Sequence, residues 1–234
     1  MTGTARIVEA DIAVGYGAWA AGYDAQDNPM IAAVDRHLGS NPLPFAGASV
    51  LDIGCGTGRL MAQALAAGAA FAAGIDGSAE MLARAEERLA ASLAQGRARL
   101  VRGDLALPWD LPEAAFDLGV ISLVLEHSPA VHPILAQAAR HLAPGGLLFV
   151  AEIHPDMLGT PLGGHFERDG TVYALPSHPH RPEEFVAALA ATGFEPPVFA
   201  EMRADPVLIA AVPKLAKRAG TGVLLTLRAR RNAA

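Results

Sequence analysis

Short apolar runs alternate with longer segments of helical spacing through the middle of the chain. Residues 49–53 (SVLDI) are a near-continuous apolar run ending in glycines, and residues 59–67 follow with apolar positions three and four apart. Gly68 stops that helix, and residues 69–76 form a second run that ends in an acid. Ser78 is placed to cap the next helix, Glu80 favours its positive end, and the pattern continues to Gln95 and Gly96. Residues 98–104 and 116–122 read as the third and fourth strands. Pro129 is expected to open a helix that Pro144-Gly145-Gly146 closes, with a fifth strand over 147–152. Strands apolar on both faces, separated by helices, predict an α/β fold with a doubly wound, Rossmann-like, mostly parallel sheet.

Outside residues 46–152 the pattern changes. Residues 10–38 read as one or two helices carrying Tyr16, Trp19 and Tyr23, and a turn segment over 39–47 follows. Residues 154–181 are rich in Gly, Pro and His and show no clear period. A helix over 182–192, with Pro at its first turn and Gly193 beyond its end, leads to strands over 198–203 and 222–230, with a helix over 205–218 between them. The expected organisation is one domain. Residues 1–45 form a helical cap, 46–152 the core, 153–181 a loop-rich lid and 182–234 the last helices and strands.

Composition narrows the function. The chain has 234 residues, 52% hydrophobic and 18% charged, enough to bury a core and unlike a disordered segment. A net charge of −6 is not the electrostatic footprint of a nucleic-acid binder. The single cysteine cannot form an internal disulfide, which fits a reducing, cytoplasmic location. Glu9 and Asp11 interrupt any signal-like run, and no stretch approaches the roughly 20 apolar residues of a membrane span. Neither membrane nor nucleic acid is therefore expected as a partner, and the oligomeric state stays open, a homodimer included.

The sharpest chemical signal is the run Asp52-Ile53-Gly54-Cys55-Gly56-Thr57-Gly58, where a buried strand turns tightly into a helix. Asp76 ends the next strand about 20 residues on, where a carboxylate can take hydrogen bonds from both ribose hydroxyls. Asp104 ends the third, where an acid can accept from an adenine amino group. The dinucleotide fingerprint needs a glycine at the sixth loop position, and this chain has Arg59 there. An NAD-type oxidoreductase is thus the alternative, with a noncatalytic cofactor-binding protein behind it.

As a set these residues resemble class I S-adenosylmethionine-dependent methyltransferases, of the bacterial small-molecule type (ubiquinone/menaquinone-like or secondary-metabolite). The resemblance spans about residues 46–152. It includes Gly74-Ile75-Asp76-Gly77-Ser78 with Met81, Gly103-Asp104-Leu105, Phe116-Asp117, Leu125-Glu126-His127 and Leu142-Ala143-Pro144-Gly145-Gly146. It implies a seven-stranded sheet whose last strand, residues 222–230, is antiparallel, with S-adenosyl-L-methionine as cofactor. Asp52, Gly54, Cys55 and Gly56 would pass near its methionine part, and Asp76 and Gly77 would meet the ribose. Met81, Asp104 and Leu105 would meet the adenine, and Ser122 would stand at the end of the fourth strand. Tyr16 or Tyr23 would close over the sulfonium, since a cation is drawn to an aromatic face.

The acceptor is expected to be a small organic nucleophile. The signatures of nucleobase, catechol-type and protein arginine methylation are missing, and Cys55 is not in a cytosine-methylating motif. An acceptor that carries a proton needs a base. His127 is the first candidate, with Glu126 and Tyr23 beside it. Such a Tyr/Glu/His group resembles that of bacterial enzymes that methylate an indole carbon, with oxygen and nitrogen acceptors also open. His154 and Asp156 are second candidates, and with His165 and Tyr173 they are placed on the substrate side. His165, His178 and His180 lack the carboxylate or cysteine partners of a zinc site, so no metal is expected.

Overall fold

The computed structural model describes residues 6–9, 11–24, 28–158, 164–168 and 171–233. The strands are β1 (Arg6–Glu9), β2 (Ser49–Ile53), β3 (Phe71–Asp76), β4 (Ala98–Arg102), β5 (Phe116–Ser122), β6 (Leu142–Ile153), β7 (Gly164–Arg168), β8 (Thr171–Leu175), β9 (Val198–Arg203) and β10 (Gly222–Arg230). The α-helices are α1 (Ile12–Trp19), α2 (Pro29–Ser40), α3 (Arg59–Ala66), α4 (Ala79–Ala94), α5 (His132–His141), α6 (Pro155–Leu158), α7 (Pro182–Ala191) and α8 (Pro206–Ala211). Seven strands form one sheet in the order β4-β3-β2-β5-β6-β10-β9. Strands β2 to β6 pair in parallel, and β10 runs antiparallel to both neighbours, as the resemblance implied.

Alternation along the strands makes two cores. On one face Val50 and Ala72 pack with Val34 of α2, Met61 of α3 and Leu89 of α4. On the other, Leu51, Ile53 and Ile75 pack with Leu135 of α5 and Phe185 and Leu189 of α7. Each layer removes apolar side chains from water on both sides of a sheet whose central strands are nearly all buried. Local signals agree with this. The Ser78 side chain accepts from the Met81 N–H at 3.3 Å to cap α4, and Asp205 accepts from the Leu208 N–H at 2.7 Å to cap α8.

Four local details differ from expectation. Residues 144–146 stay within β6 instead of ending a helix, with a register shift against β5 between Phe116 and Leu118. Pro129 lies ahead of α5, which begins at His132. The 205–218 segment divides into α8 and a 3-10 turn (Pro213–Arg218), because Pro213 cannot supply the N–H a continuing helix requires. Finally, the cap contains a second sheet, in the order β1-β8-β7, joining residues 6–9 to the segment expected to be loop.

Candidate active site

The chain runs from β2 outward to β3 and β4, then crosses back to β5 on the other side of β2. Ligands of open α/β sheets sit at such a reversal, beyond the carboxyl ends of the strands. A cavity of about 800 Å³ lies there. Its wall includes Gly54 and Gly56 after β2, Asp76, Gly77 and Ser78 after β3, and Met81 from α4. Residues 102–106 after β4 and Ser122, Leu123, Val124, His127, Ser128 and Pro129 after β5 continue it. Ile12, Tyr16 and Tyr23 close it from the N-terminal cap.

The loop after β2 is shaped by what approaches it. Gly54 has φ +75°, and a side chain there would run into Val124. Gly56 has φ +52°, and a Cβ there would meet nothing within 4 Å, so the loop leaves open space on its cavity side. The Asp76 carboxylate secures the loop, accepting from the Gly56 N–H at 2.8 Å and from the Ser78 N–H at 2.8 Å. Burial pushes the Asp76 carboxyl up, and these N–H groups pull it back. Asp104 stands exposed at the rim, where its Oδ1 accepts from the Ala106 N–H at 2.8 Å.

Asp52 and Cys55 lie behind the loop and not on the wall. Asp52 points to the α3 side, its Oδ2 has no partner, and burial raises its carboxyl to about 7. The Cys55 thiol is buried, and burial raises it too.

Tyr16, Trp19 and Tyr23 form an aromatic cluster, with the rings of Tyr16 and Trp19 5.9 Å apart and those of Trp19 and Tyr23 5.0 Å apart. The Tyr16 hydroxyl meets His127 Nε2 at 2.7 Å, while His127 Nδ1 meets the Pro176 carbonyl at 2.8 Å. A carbonyl only accepts, so Nδ1 carries the hydrogen and Nε2 of the neutral ring accepts from Tyr16. Burial lowers the imidazole's basicity and favours that neutral form. Tyr16, rather than Tyr23, is therefore the phenol paired with His127. Glu126 is buried behind this pair, its Oε1 3.7 Å from Nε2, and does not line the cavity. Burial and the neighbouring Glu152 hold its carboxyl well above the usual range.

The remaining candidates lie elsewhere. His154 is packed against Gly222 beyond the end of β6, 3.6 Å from Glu201, and Asp156 accepts from the Gly222 N–H at 3.3 Å. Neither lines the cavity, nor does Tyr173 on β8. His165 falls on β7, in the three-stranded sheet and not among the seven strands of the core. Among the described residues no three His, Cys, Asp or Glu side chains are grouped as a metal would require, and no helix is long and apolar enough to cross a membrane. Arg102, Ser128, Pro129 and Ile134 line the cavity without having been expected there; Ser128-Pro129 directly follows Leu125-Glu126-His127, which was the available signal.

The chain is similar to known proteins. The methyltransferase domain family matches residues 50–146. A ubiquinone biosynthesis O-methyltransferase of Rhizobium etli is 34% identical over 163 residues, covering 66% of this chain and 63% of that protein. One from Sinorhizobium medicae is 31% identical over 173 residues, covering 69% and 67%. The chain thus spans somewhat under two thirds of the Rhizobium relative. Among solved structures, an S-adenosylmethionine-dependent methyltransferase from Mesorhizobium loti superposes with a TM-score of 0.67 at 25% identity, covering 84% of this chain and 96% of that one. The chain belongs to the S-adenosylmethionine-dependent methyltransferase family.

Proposed function

We propose that this protein uses S-adenosylmethionine to methylate a hydroxyl oxygen of a small organic molecule, with the hydroxyl proton passing through Tyr16 to His127. The observation that carries the oxygen assignment is the Tyr16–His127 pair: the Tyr16 hydroxyl on the cavity wall sits 2.7 Å from Nε2, so a proton given to its oxygen by an acceptor hydroxyl can be handed on to the imidazole. The names of the Rhizobium and Sinorhizobium relatives, both O-methyltransferases, support the same reading.

The cavity fits the cofactor on three counts. The open side of Gly56 leaves room for close approach, and the Asp76 carboxylate stands on the wall where ribose hydroxyls can donate to it. Asp76 and Asp104 stand on the wall, and among the described residues Arg102 is the only Lys or Arg beside them. Such a surround favours a cationic guest. Met81 and Leu105 would pack on the adenine, Asp104 would accept from its amino group, and Tyr16 and Tyr23 would face the sulfonium. When bound, the cofactor supplies an electrophilic methyl group.

The chain then has two tasks. Alignment of the acceptor by the cavity can contribute roughly 7–11 kcal/mol. His127 has one lone pair, at Nε2, and Tyr16 occupies it. The acceptor hydroxyl therefore passes its proton to the Tyr16 oxygen as the Tyr16 proton moves to Nε2, so Tyr16 never becomes a phenolate. That matters because burial raises the Tyr16 hydroxyl well above its usual range.

The test is transfer of labelled methyl from S-adenosylmethionine to a panel of phenols, catechols and indoles. His127→Ala is expected to lower kcat by about 10²-fold or more, with S-adenosylhomocysteine affinity retained, and Tyr16→Phe to lower it in the same direction. Full activity in Tyr16→Phe would remove the relay, and label on indole carbon alone would remove the oxygen assignment.

A further inference from the structure

The turn that carries His127 is held by residues 26 to 55 positions away in the chain, none of which lines the cavity. Just after β5, Leu123 has φ +59°, a left-handed backbone unusual for a branched side chain. Such conformations persist where the surroundings over-determine them. Three successive backbone N–H groups after Leu123 converge on one buried carboxylate. Those of Val124 and Leu125 reach Glu152 Oε1 at 3.0 Å each, and that of Glu126 reaches Oε2 at 3.4 Å.

The carbonyls of the same turn face the opposite way, toward residues 176–180. His180 Nε2 lies 3.0 Å from the Leu125 carbonyl and 2.9 Å from that of Ser128, while its Nδ1 lies 3.1 Å from Glu184 Oε2. The His178 N–H donates to the Glu126 carbonyl at 2.6 Å. The Pro176 carbonyl of this strap takes the His127 Nδ1 hydrogen, which fixes the ring's tautomer. Three N–H groups of one short turn are thus held by a carboxylate on one side, and three of its carbonyls by an imidazole and a backbone N–H on the other. His127 is tied by its side chain to the same strap that its turn is tied to by its backbone.

We propose that Glu152 and His180 are positioning residues that clamp the 124–128 turn and thereby set the place and tautomer of the His127 ring. The proposal rests on the reading of His127 as proton acceptor, but it has a readout of its own. Nitrogen NMR of the imidazole rings, with the His127 signal identified by its loss in His127→Ala, reports the tautomer in the protein without cofactor. In the wild type His127 is expected as the Nδ1–H form alone. In His180→Ala and Glu152→Gln the two tautomers are expected to mix. Methyl transfer to the best phenol of the panel should fall roughly 10–100-fold through misplacement of the base, with S-adenosylhomocysteine affinity unchanged.

His180→Gln keeps an N–H donor for the two carbonyls and is expected to restore the single tautomer and most of the turnover. Should Glu152→Gln fail to fold, the His180→Ala and His180→Gln pair decides. A pure Nδ1–H tautomer with wild-type turnover in His180→Ala would overturn the clamp. If His127→Ala itself retains turnover, the proton-acceptor reading fails, and the tautomer measurement still decides the clamp by itself.

Discussion

Three carboxyls near the cavity, those of Asp52, Glu126 and Glu152, are held above their usual range because burial removes water from the charged form. A raised carboxyl binds its proton more tightly in the folded than in the unfolded chain. Its contribution to stability is therefore complete below the unfolded value, near 4 for a carboxylate, and is lost as pH rises through the folded one. The lowered histidines, His37 and His127, act oppositely, but mainly below about pH 6.5, where the unfolded imidazole begins to charge. From pH 6.5 to 8 the cofactor-free protein should thus lose thermal stability, and Glu126→Gln should flatten the slope. A wild-type melting temperature that rises over that interval would contradict the assignment. Glu126 and His127 could be singled out in the sequence because they follow a strand predicted to end at the cavity. Glu152 and His180 could not, since their partners lie far along the chain and neither sits in a recognisable motif.

Among elements, the N-terminal cap closes the cavity with Ile12, Tyr16 and Tyr23, and its fastening is specific. Asp24, just past the aromatic cluster, accepts from the Thr57 hydroxyl at 2.8 Å and from Arg88 at 2.7 Å. Arg88 also donates to the Thr57 carbonyl at 2.8 Å, so the cap, the glycine loop and α4 meet at one knot. Asp24→Ala removes the carboxylate from that knot and leaves the wall residues in place. It should accelerate cofactor dissociation, measured by stopped-flow displacement, far more than it slows association; an unchanged off-rate would show that the knot does not hold the cap. Strands β2 to β4 were legible because each is a run of apolar residues closed by glycine or acid, and β5 and β6 because their apolar runs are near-continuous. The small sheet was not: β1 and β8 pair in parallel across more than 160 residues, and their sequences, RIVE and TVYAL, lack an alternation that would distinguish strand from loop. Tyr16 and Tyr23 were both visible on the cap, but only the packing of α1 decides which one reaches His127.

For the molecule as a whole, the strand order places Gly56, Asp76 and the 102–106 segment on one side of the reversal and the His127 turn on the other. A ligand in the cavity therefore touches both halves of the sheet. The fold, the loop and the two strand-end acids were readable from residue spacing because each is local. The substrate side was not readable, since His154 and Asp156 follow a strand of the right order but fold against β10. The most direct test of the central claim is isothermal titration of the protein with S-adenosylmethionine and with NADH, repeated for Asp76→Ala. One S-adenosylmethionine should bind each chain, NADH should give no signal, and Asp76→Ala should cost roughly 1.5–3 kcal/mol of affinity. Binding of NADH, or S-adenosylmethionine affinity indifferent to Asp76, would contradict it.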